Sequence, residues 1–137
     1  MVRWFLMLIL VFLVSCNSSK NRPSHATGLD PGMAHNLILQ QGNNPSFMVI
    51  DVRTPEEFST GHIRGAINID WLTNKDALNQ LDKDHTLLIY CESGRRSQLA
   101  MNHLAKKGFK YLFHINGGLI KWKKTIQSLV PSPKNEH

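Results

Sequence analysis

Short apolar runs alternate with amphipathic stretches through most of this chain, from residue 33 to residue 129. Four of the runs have the length of strands, at residues 47–50, 66–69, 87–90 and 111–115. The run at residues 47–50 is fully apolar, which is typical of a strand buried on both faces. Helical spacing and helix-boundary residues mark the stretches around them, at residues 33–41, 54–60, 74–81, 95–107 and 119–129. Because strands alternate with helices, the pattern predicts an α/β domain whose mostly parallel sheet has helices on both faces.

Boundary residues support this assignment of helices. Thr54 followed by Pro55 and two glutamates has the form of an N-cap, a first-turn proline and acidic residues at the positive end of a helix. Gly42 and Gly108 directly follow helical patterns and are predicted to end them.

The segment after the strand at residues 87–90 carries the strongest chemical signal. It reads Cys-Glu-Ser-Gly-Arg-Arg from Cys91 to Arg96, a tight loop headed by a thiol and followed by a helix. The N–H groups of such a loop can turn inward, and the helix directs its positive end to the same place. The N–H groups, the positive helix end and the guanidinium groups of Arg95 and Arg96 all favour the thiolate of Cys91, which is the nucleophilic form. A buried cysteine acting as a small hydrophobic residue is the alternative, but it would need neither Gly94 nor two arginines.

Asp51 and Cys91 each follow an apolar run, so both are expected at the carboxyl ends of strands. Ligands of parallel sheets bind beyond those ends. The sequence therefore predicts that the site lies at this edge of the sheet.

Length and charge fit a single domain. The 137 residues include 16 Lys and Arg against 10 Asp and Glu, which gives a formal net charge of +6. The densest basic patch is Lys121, Lys123 and Lys124 beside Trp122, and no nucleic-acid-binding motif accompanies it. We interpret this patch as a solvated helix face and expect no nucleic-acid partner.

The first sixteen residues have the pattern of a targeting segment. Arg3 precedes an unbroken apolar run at residues 4–14, shorter than the roughly 20 residues of a membrane-spanning helix. The run ends in Leu-Val-Ser-Cys at residues 13–16, which resembles the lipobox of bacterial lipoprotein signal peptides. The resemblance implies cleavage before Cys16 and lipid on its sulfur. A simple secretory signal and an uncleaved N-terminal anchor are the alternatives.

These features predict a signal peptide at residues 1–15 and a lipidated flexible tether, rich in Asn, Ser, Lys and Pro, at residues 16–28. The folded domain is predicted at residues 29–130 and a frayed tail at residues 131–137. The exported domain would be anchored by lipid to a bacterial membrane on the periplasmic side, and Asn17 after Cys16 favours the outer membrane. With Cys16 acylated, Cys91 would be the single thiol of the domain and would have no disulfide partner.

Three separated motifs stand in a characteristic order. The first is Ile-Asp-Val-Arg-Thr-Pro-Glu-Glu-Phe at residues 50–58, continued by Gly-His-Ile-Arg-Gly-Ala-Ile-Asn-Ile at residues 61–69. The second is the loop Tyr-Cys-Glu-Ser-Gly-Arg-Arg-Ser at residues 90–97, and the third is Gly-Gly at residues 117–118 with Trp122 beyond it. In these motifs the chain resembles a single-domain rhodanese, over residues 31 to 129. The resemblance implies the rhodanese-like fold, with a sheet of about five strands.

A rhodanese is a sulfurtransferase, so the resemblance implies a reaction for Cys91. Its thiolate would attack the outer sulfur of thiosulfate or a similar sulfane donor, sulfite would leave, and a thiophilic acceptor would take the sulfur from the resulting persulfide. Arg96 is implied to be the arginine that points inward and binds the leaving sulfite. The implied substrate-binding loop is completed by Glu92, Ser93, Gly94, Arg95 and Ser97. No cofactor and no metal are implied. The expected partners are small sulfur-containing anions and thiols, the membrane and, as an open alternative, a protein sulfur acceptor.

Four further positions carry expectations. Asp51 and Arg53 stand where the family keeps an acidic and a basic residue, and they are expected to support the shape of the loop. Glu92 departs from the family, in which many members have a basic or neutral residue beside the nucleophile. A Glu92 carboxylate turned toward Cys91 would oppose the thiolate and an anionic donor, so that the donor would not be thiosulfate, whereas an outward-facing Glu92 would change little. His114, within an apolar run, is expected to be a core histidine.

Two other functions stay open on the sequence alone. A phosphatase or arsenate reductase of the related fold also uses a loop cysteine and an arginine, but its arginine comes six positions after the cysteine. Here Ser97 holds that position and Arg96 comes five after Cys91, which favours sulfur over phosphorus. A binding module without catalysis would not need these residues. A persulfide carrier that hands sulfur to a partner at the membrane would need all of them.

Overall fold

The computed structural model describes residues 25–129, which form a single five-stranded sheet and five helices. In chain order the elements are β1 (His25–Leu29), α1 (Pro31–Gln41), β2 (Phe47–Asp51), α2 (Pro55–Ser59), β3 (Ile67–Asn68), α3 (Lys75–Asn79), β4 (Thr86–Tyr90), α4 (Arg95–Lys106), β5 (Tyr111–Ile115) and α5 (Gly118–Leu129). Every strand pair is parallel, and the order across the sheet is β1-β5-β4-β2-β3. The predicted α/β rhodanese-like architecture is confirmed.

Strand β4 lies at the centre of the sheet and packs against helices on both faces. Leu87 and Ile89 belong to an apolar cluster that includes residues of α3 and α4. Leu88 and Tyr90 belong to a second cluster, which includes residues of α1 and α5. Because successive side chains of a strand point to opposite faces, a strand covered on both sides needs apolar residues at every position. This requirement explains the unbroken apolar run at residues 87–90.

The strand order places a switch point between β2 and β4. The chain moves from β2 to the edge strand β3, whereas from β4 it moves to β5 on the opposite side. Connections that leave in opposite directions open a crevice at the carboxyl ends of the two strands. Asp51 at the end of β2 is in register with Tyr90, and Cys91 directly follows Tyr90. The predicted position of Asp51 and Cys91 at one edge of the sheet is confirmed.

The folded domain starts earlier than the sequence predicts. The prediction of a flexible tether over residues 25–28 is wrong, because His25–Leu29 forms β1 and pairs in parallel with the whole of β5. Three of its five residues are exposed, because β1 lies at the edge of the sheet. An exposed edge strand has no need of an apolar run, which is the signal by which the other strands were predicted.

Helix boundaries follow the predicted signals in three places. The Thr54 side chain accepts a hydrogen bond from the Glu57 N–H, and the Glu57 carboxylate accepts one from the Thr54 N–H, which is a complete capping box. Gly108 follows α4 with φ of 89°, a left-handed conformation suited to glycine. Gly42 also follows its helix, but with φ of −58°, which any residue can adopt.

The predictions for the signal peptide, the lipidated Cys16, the first part of the tether and the C-terminal tail concern residues outside the described range. Within residues 25–129, each helix is too short or too polar to span a bilayer.

Candidate active site

The thiol of Cys91 is fully buried and is surrounded by hydrogen-bond donors of its own loop. The Gly94 N–H donates to Sγ at 3.1 Å, and the Ser97 N–H donates to it at 3.4 Å. Ser97 lies in the first turn of α4, so its N–H is one of those that a helix leaves unpaired within itself. Two backbone donors and the positive end of a twelve-residue helix therefore converge on one sulfur atom.

Two glycines allow the loop to fold this tightly. Gly94 is the N-cap of α4 and has φ of 93°, which a side chain would strain. Gly118, at the start of α5, has φ of 59°, and a Cβ there would lie 2.5 Å from the carbonyl oxygen of Cys91. In the same region the Leu119 N–H donates to that oxygen at 2.8 Å. The Gly-Gly motif therefore serves a close approach between α5 and the loop.

Arg53 connects three segments beneath the loop and is almost fully buried. Its Nη2 donates to Asp51 Oδ2 at 2.8 Å and to the carbonyl of Gly61 at 2.7 Å, and its Nη1 donates to Glu92 Oε2 at 3.0 Å. Asp51 is also fully buried, so this pair is shielded from solvent on both sides. The Glu92 carboxylate therefore points to Arg53, and the negative charge beside the nucleophile is partnered by a guanidinium group.

Arg96 forms a bidentate ion pair with Glu57. Its Nη1 donates to Oε2 and its Nη2 to Oε1, both at 2.7 Å. The hydrogen bonds from Arg96 lower the pKa of Glu57 to about 2. In turn they raise the pKa of Arg96, with smaller contributions from the nearby Cys91 sulfur. Arg96 is partly buried, whereas Arg95 is exposed, so Arg96 is the arginine that lies against the site.

Ser97 and His114 lie on the inner side of the thiol. The Ser97 hydroxyl donates to the Gly94 carbonyl at 3.0 Å, and its oxygen lies 3.6 Å from Cys91 Sγ, within range to accept from the thiol. His114 Nδ1 is 3.3 Å from the same oxygen, and the histidine is 5% exposed. Burial lowers the pKa of His114, so the ring is neutral near pH 7. His114 is the core histidine that the sequence predicts, and it also contacts the partner of the nucleophile.

The edge strand β1 contributes space for this histidine. Gly28 of β1 is in register with His114 of β5, and a Cβ on Gly28 would lie 2.9 Å from Nε2 of the ring. The same Cβ would lie 2.3 Å from Oδ1 of Asn116. A side chain at this position would require Asn116 and His114 to move. The edge strand β1, which no apolar run marks in the sequence, therefore lies against a histidine of the site.

The structure thus groups the sequence-predicted residues into three sets. Cys91, Gly94 and Ser97 meet at the sulfur. The buried Asp51 and Arg53 form a network with the partly exposed Glu92, and Arg96 pairs with Glu57. Ser93 and Arg95 are exposed at the surface of the loop. Sequence reasoning missed the contact of Glu57 with Arg96, since the helix cap already accounts for Glu57. Within residues 25–129, no three His, Cys, Asp or Glu side chains are grouped closely enough to hold a metal ion.

Comparison with known proteins gives a consistent picture. The profile described as rhodanese-like domain matches residues 33–125. The thiosulfate sulfurtransferase GlpE of Stutzerimonas stutzeri is 31% identical over 100 residues, which cover 73% of this chain and 87% of that protein. GlpE of Ectopseudomonas mendocina is 35% identical over 81 residues, 59% of this chain and 74% of that protein. A crystal structure of a rhodanese-like domain protein from Staphylococcus aureus superposes with a TM-score of 0.60 at 28% identity, covering 70% of this chain and 90% of that one.

Proposed function

The chain belongs to the rhodanese-like domain family, and we propose that it is a sulfurtransferase that carries a sulfane sulfur as a persulfide on Cys91. The donor would be thiosulfate or a compound with the same kind of sulfur, and the acceptor a thiophile such as cyanide or a small thiol. The observation that carries this proposal is the convergence of the Gly94 and Ser97 N–H groups on Cys91 Sγ, at 3.1 and 3.4 Å.

In the first half-reaction the Cys91 thiolate attacks the outer sulfur of the donor. A new S–S bond forms to Cys91 while the S–S bond of thiosulfate breaks, and sulfite leaves with the electron pair of the broken bond. The Gly94 and Ser97 N–H groups stabilise the thiolate before this step and the persulfide anion after it, because both species place negative charge within the loop. Arg96, beside the loop, is the group that contacts the leaving oxyanion.

In the second half-reaction the acceptor attacks the outer sulfur of the persulfide. The bond between the two sulfur atoms breaks, its electron pair returns to Cys91 as a thiolate, and the acceptor leaves with one added sulfur. Cyanide becomes thiocyanate in this way. Two separate transfers through a covalent intermediate give ping-pong kinetics.

A turnover assay tests this proposal. The purified protein is incubated with thiosulfate and cyanide, and thiocyanate formation is followed beside Cys91→Ser, whose hydroxyl can accept the same N–H groups but is a poor nucleophile. An aryl phosphate ester is supplied in a parallel reaction. Thiocyanate formation that is lost in the variant supports the sulfurtransferase. A sulfur-loaded protein without turnover would instead support a carrier that requires a specific acceptor, and phosphate release would support the phosphatase alternative.

We also propose that the protein is exported and lipid-anchored through Cys16, on the periplasmic side of a bacterial membrane. The Leu-Val-Ser-Cys sequence at residues 13–16 supports this, and Asn17 favours the outer membrane. Metabolic labelling with palmitate in a bacterium that has two membranes, with the full chain and Cys16→Ala, tests the proposal. Label that depends on Cys16, and that is found in the membrane fraction, is the expected result. Unlabelled wild-type protein in the soluble fraction would contradict it.

A further inference from the structure

The Glu57–Arg96 pair changes the electrostatic character of the proposed donor site. Arg96 is the guanidinium next to the thiol, and Glu57 takes two of its five N–H groups in a bidentate contact at 2.7 Å. The carboxylate comes from α2 and the guanidinium from α4, so the pair joins two elements that flank the switch point. A donor that approaches Arg96 therefore also meets the negative charge of Glu57.

The other buried arginine offers no unpaired positive charge either. Arg53 is held by Asp51 and Glu92. Together the five ion-paired groups beside the loop comprise three carboxylates and two guanidinium groups, which leaves one net negative charge. Arg95, the other charged residue of the loop, is exposed at its surface. The backbone N–H groups and the positive end of α4 stabilise one anionic sulfur atom. They provide no further full positive charge for a second anionic centre on the same donor.

We propose that Glu57 sets the donor preference of the site, by favouring sulfane donors with a single negative charge over doubly charged thiosulfate. This inference rests on the proposed sulfurtransferase function and specifies its substrate class. Alkyl thiosulfonates and persulfides of small thiols have the required chemistry. Glu57 acts through Arg96 as a specificity-determining residue and has no part in bond making or breaking.

Methanethiosulfonate forms a matched pair with thiosulfate, since a methyl group replaces one anionic oxygen. The Cys91 thiolate attacks its terminal sulfur, the S–S bond breaks, and methanesulfinate leaves with the electron pair. The product on Cys91 is the same persulfide, and cyanide releases it as thiocyanate. Any difference between the two donors therefore arises in the first half-reaction. Because the leaving groups also differ in intrinsic reactivity, the contribution of the site is measured by the change in the donor ratio between the wild type and a variant.

Glu57→Gln tests the role of the charge with little change in shape. Glutamine can replace glutamate in a capping box, so the start of α2 is expected to persist. Loss of the charge should raise kcat/KM for thiosulfate by about tenfold, because repulsion of one unit charge across a partly solvated site is of that order. The value for methanethiosulfonate should rise less, so the ratio of thiosulfate to methanethiosulfonate increases.

Glu56→Gln is the matched control. Glu56 lies next to Glu57 in α2 and carries the same charge, but Arg96 binds Glu57. The donor ratio of Glu56→Gln should stay at the wild-type value. An unchanged ratio in Glu57→Gln, or an equal increase in both variants, would overturn the inference while leaving the sulfurtransferase intact. Wild-type protein that transfers sulfur from neither donor would overturn the proposed function itself.

The wild-type protein provides a second measurement that does not depend on the variant folding. Added salt screens charge repulsion more strongly for a doubly charged donor than for a singly charged one. Above about 0.15 M salt, where the long-range attraction of the formal net charge of +6 is already largely screened, the ratio of thiosulfate to methanethiosulfonate is therefore expected to rise with ionic strength. A ratio that falls with salt would mean that the site attracts the second charge, and the inference would be wrong.

Discussion

Gly118 lies against the carbonyl group of Cys91, so closely that a Cβ on Gly118 would come within 2.5 Å of the oxygen. The next residue of α5, Leu119, donates its N–H to the same oxygen at 2.8 Å. The start of α5 therefore holds the residue that carries the thiol. The position of the nucleophile therefore depends on two loops, one with Cys91 and one with Gly118, and these residues are 27 positions apart in the sequence.

Gly118→Ala should destabilise the protein by about 2 kcal/mol or more, because the added methyl group meets backbone oxygen and the φ of 59° is unfavourable for alanine. Chemical denaturation measures this loss. Gly32→Ala in α1 is the control, since a Cβ there meets nothing within 4 Å. That variant should be neutral or more stable by up to about 1 kcal/mol. Equal stabilities for the two variants would show that the loop does not need the close approach.

Most of the sheet could be predicted from sequence, whereas the edge strand β1 could not. Strands β2, β4 and β5 are buried on both faces, so apolar runs in the sequence identify them. Strand β1 has an exposed face and the mixed sequence His-Ala-Thr-Gly-Leu, so only its pairing with β5 defines it. Pairing between segments that are distant in sequence arises only when the chain folds, so a local sequence pattern does not reveal it.

The candidate site divides in the same way. Cys91, Gly94 and Ser97 are close in sequence, so the loop and the helix start indicate their arrangement directly. Glu57 and Arg96 are 39 residues apart, and the capping box gives Glu57 a complete local explanation. No local pattern distinguishes a cap that also binds an arginine from one that does not.

Arg53→Ala should cost about 3 to 5 kcal/mol of stability, because it leaves the fully buried Asp51 carboxylate without its guanidinium partner. Lys121→Gln removes a charge from an exposed pair with Asp30 and should change stability by less than about 1 kcal/mol. Denaturant titrations of the two variants beside the wild type make the comparison. A loss for Arg53→Ala no larger than for Lys121→Gln would contradict the importance of the buried network.

When Cys91 ionises, the Ser97 hydroxyl, 3.6 Å from Sγ, can turn from the Gly94 carbonyl and donate to the thiolate. Ser97→Ala removes this donor, so it should slow the reaction of Cys91 with iodoacetamide and lower kcat/KM for sulfur transfer by about fivefold each, which corresponds to one ordinary hydrogen bond. The hydroxyl is lost, but the backbone N–H that donates to Sγ at 3.4 Å remains. Ser93→Ala, at an exposed position of the same loop, should react as the wild type does. The role assigned to the Ser97 hydroxyl fails if both variants behave alike.

Burial of His114 predicts a pH dependence of stability. Its pKa in the folded protein lies below the unfolded value of about 6.5, so the unfolded chain binds more protons just below that pH. The free energy of unfolding should therefore be fully maintained above pH 6.5 and decrease as the pH falls from there toward the lower folded pKa.

His114→Gln should remove this part of the decrease. The pKa of His103 is also lowered by burial, so the wild type and the variant must be compared at each pH rather than the wild type examined alone. Urea denaturation at several pH values between 5 and 8 covers about the range in which histidines titrate. Parallel curves for the two proteins would show that His114 contributes nothing to the pH dependence.

The central claim is that Cys91 accepts sulfur as a persulfide, and the intact mass of the protein tests it most directly. After incubation with thiosulfate or methanethiosulfonate and removal of the donor, the protein should be heavier by one sulfur atom, and cyanide should return it to the starting mass with release of thiocyanate. Cys91→Ser should gain no sulfur under the same conditions. An unchanged wild-type mass with both donors, or a gain that persists in Cys91→Ser, would contradict the account.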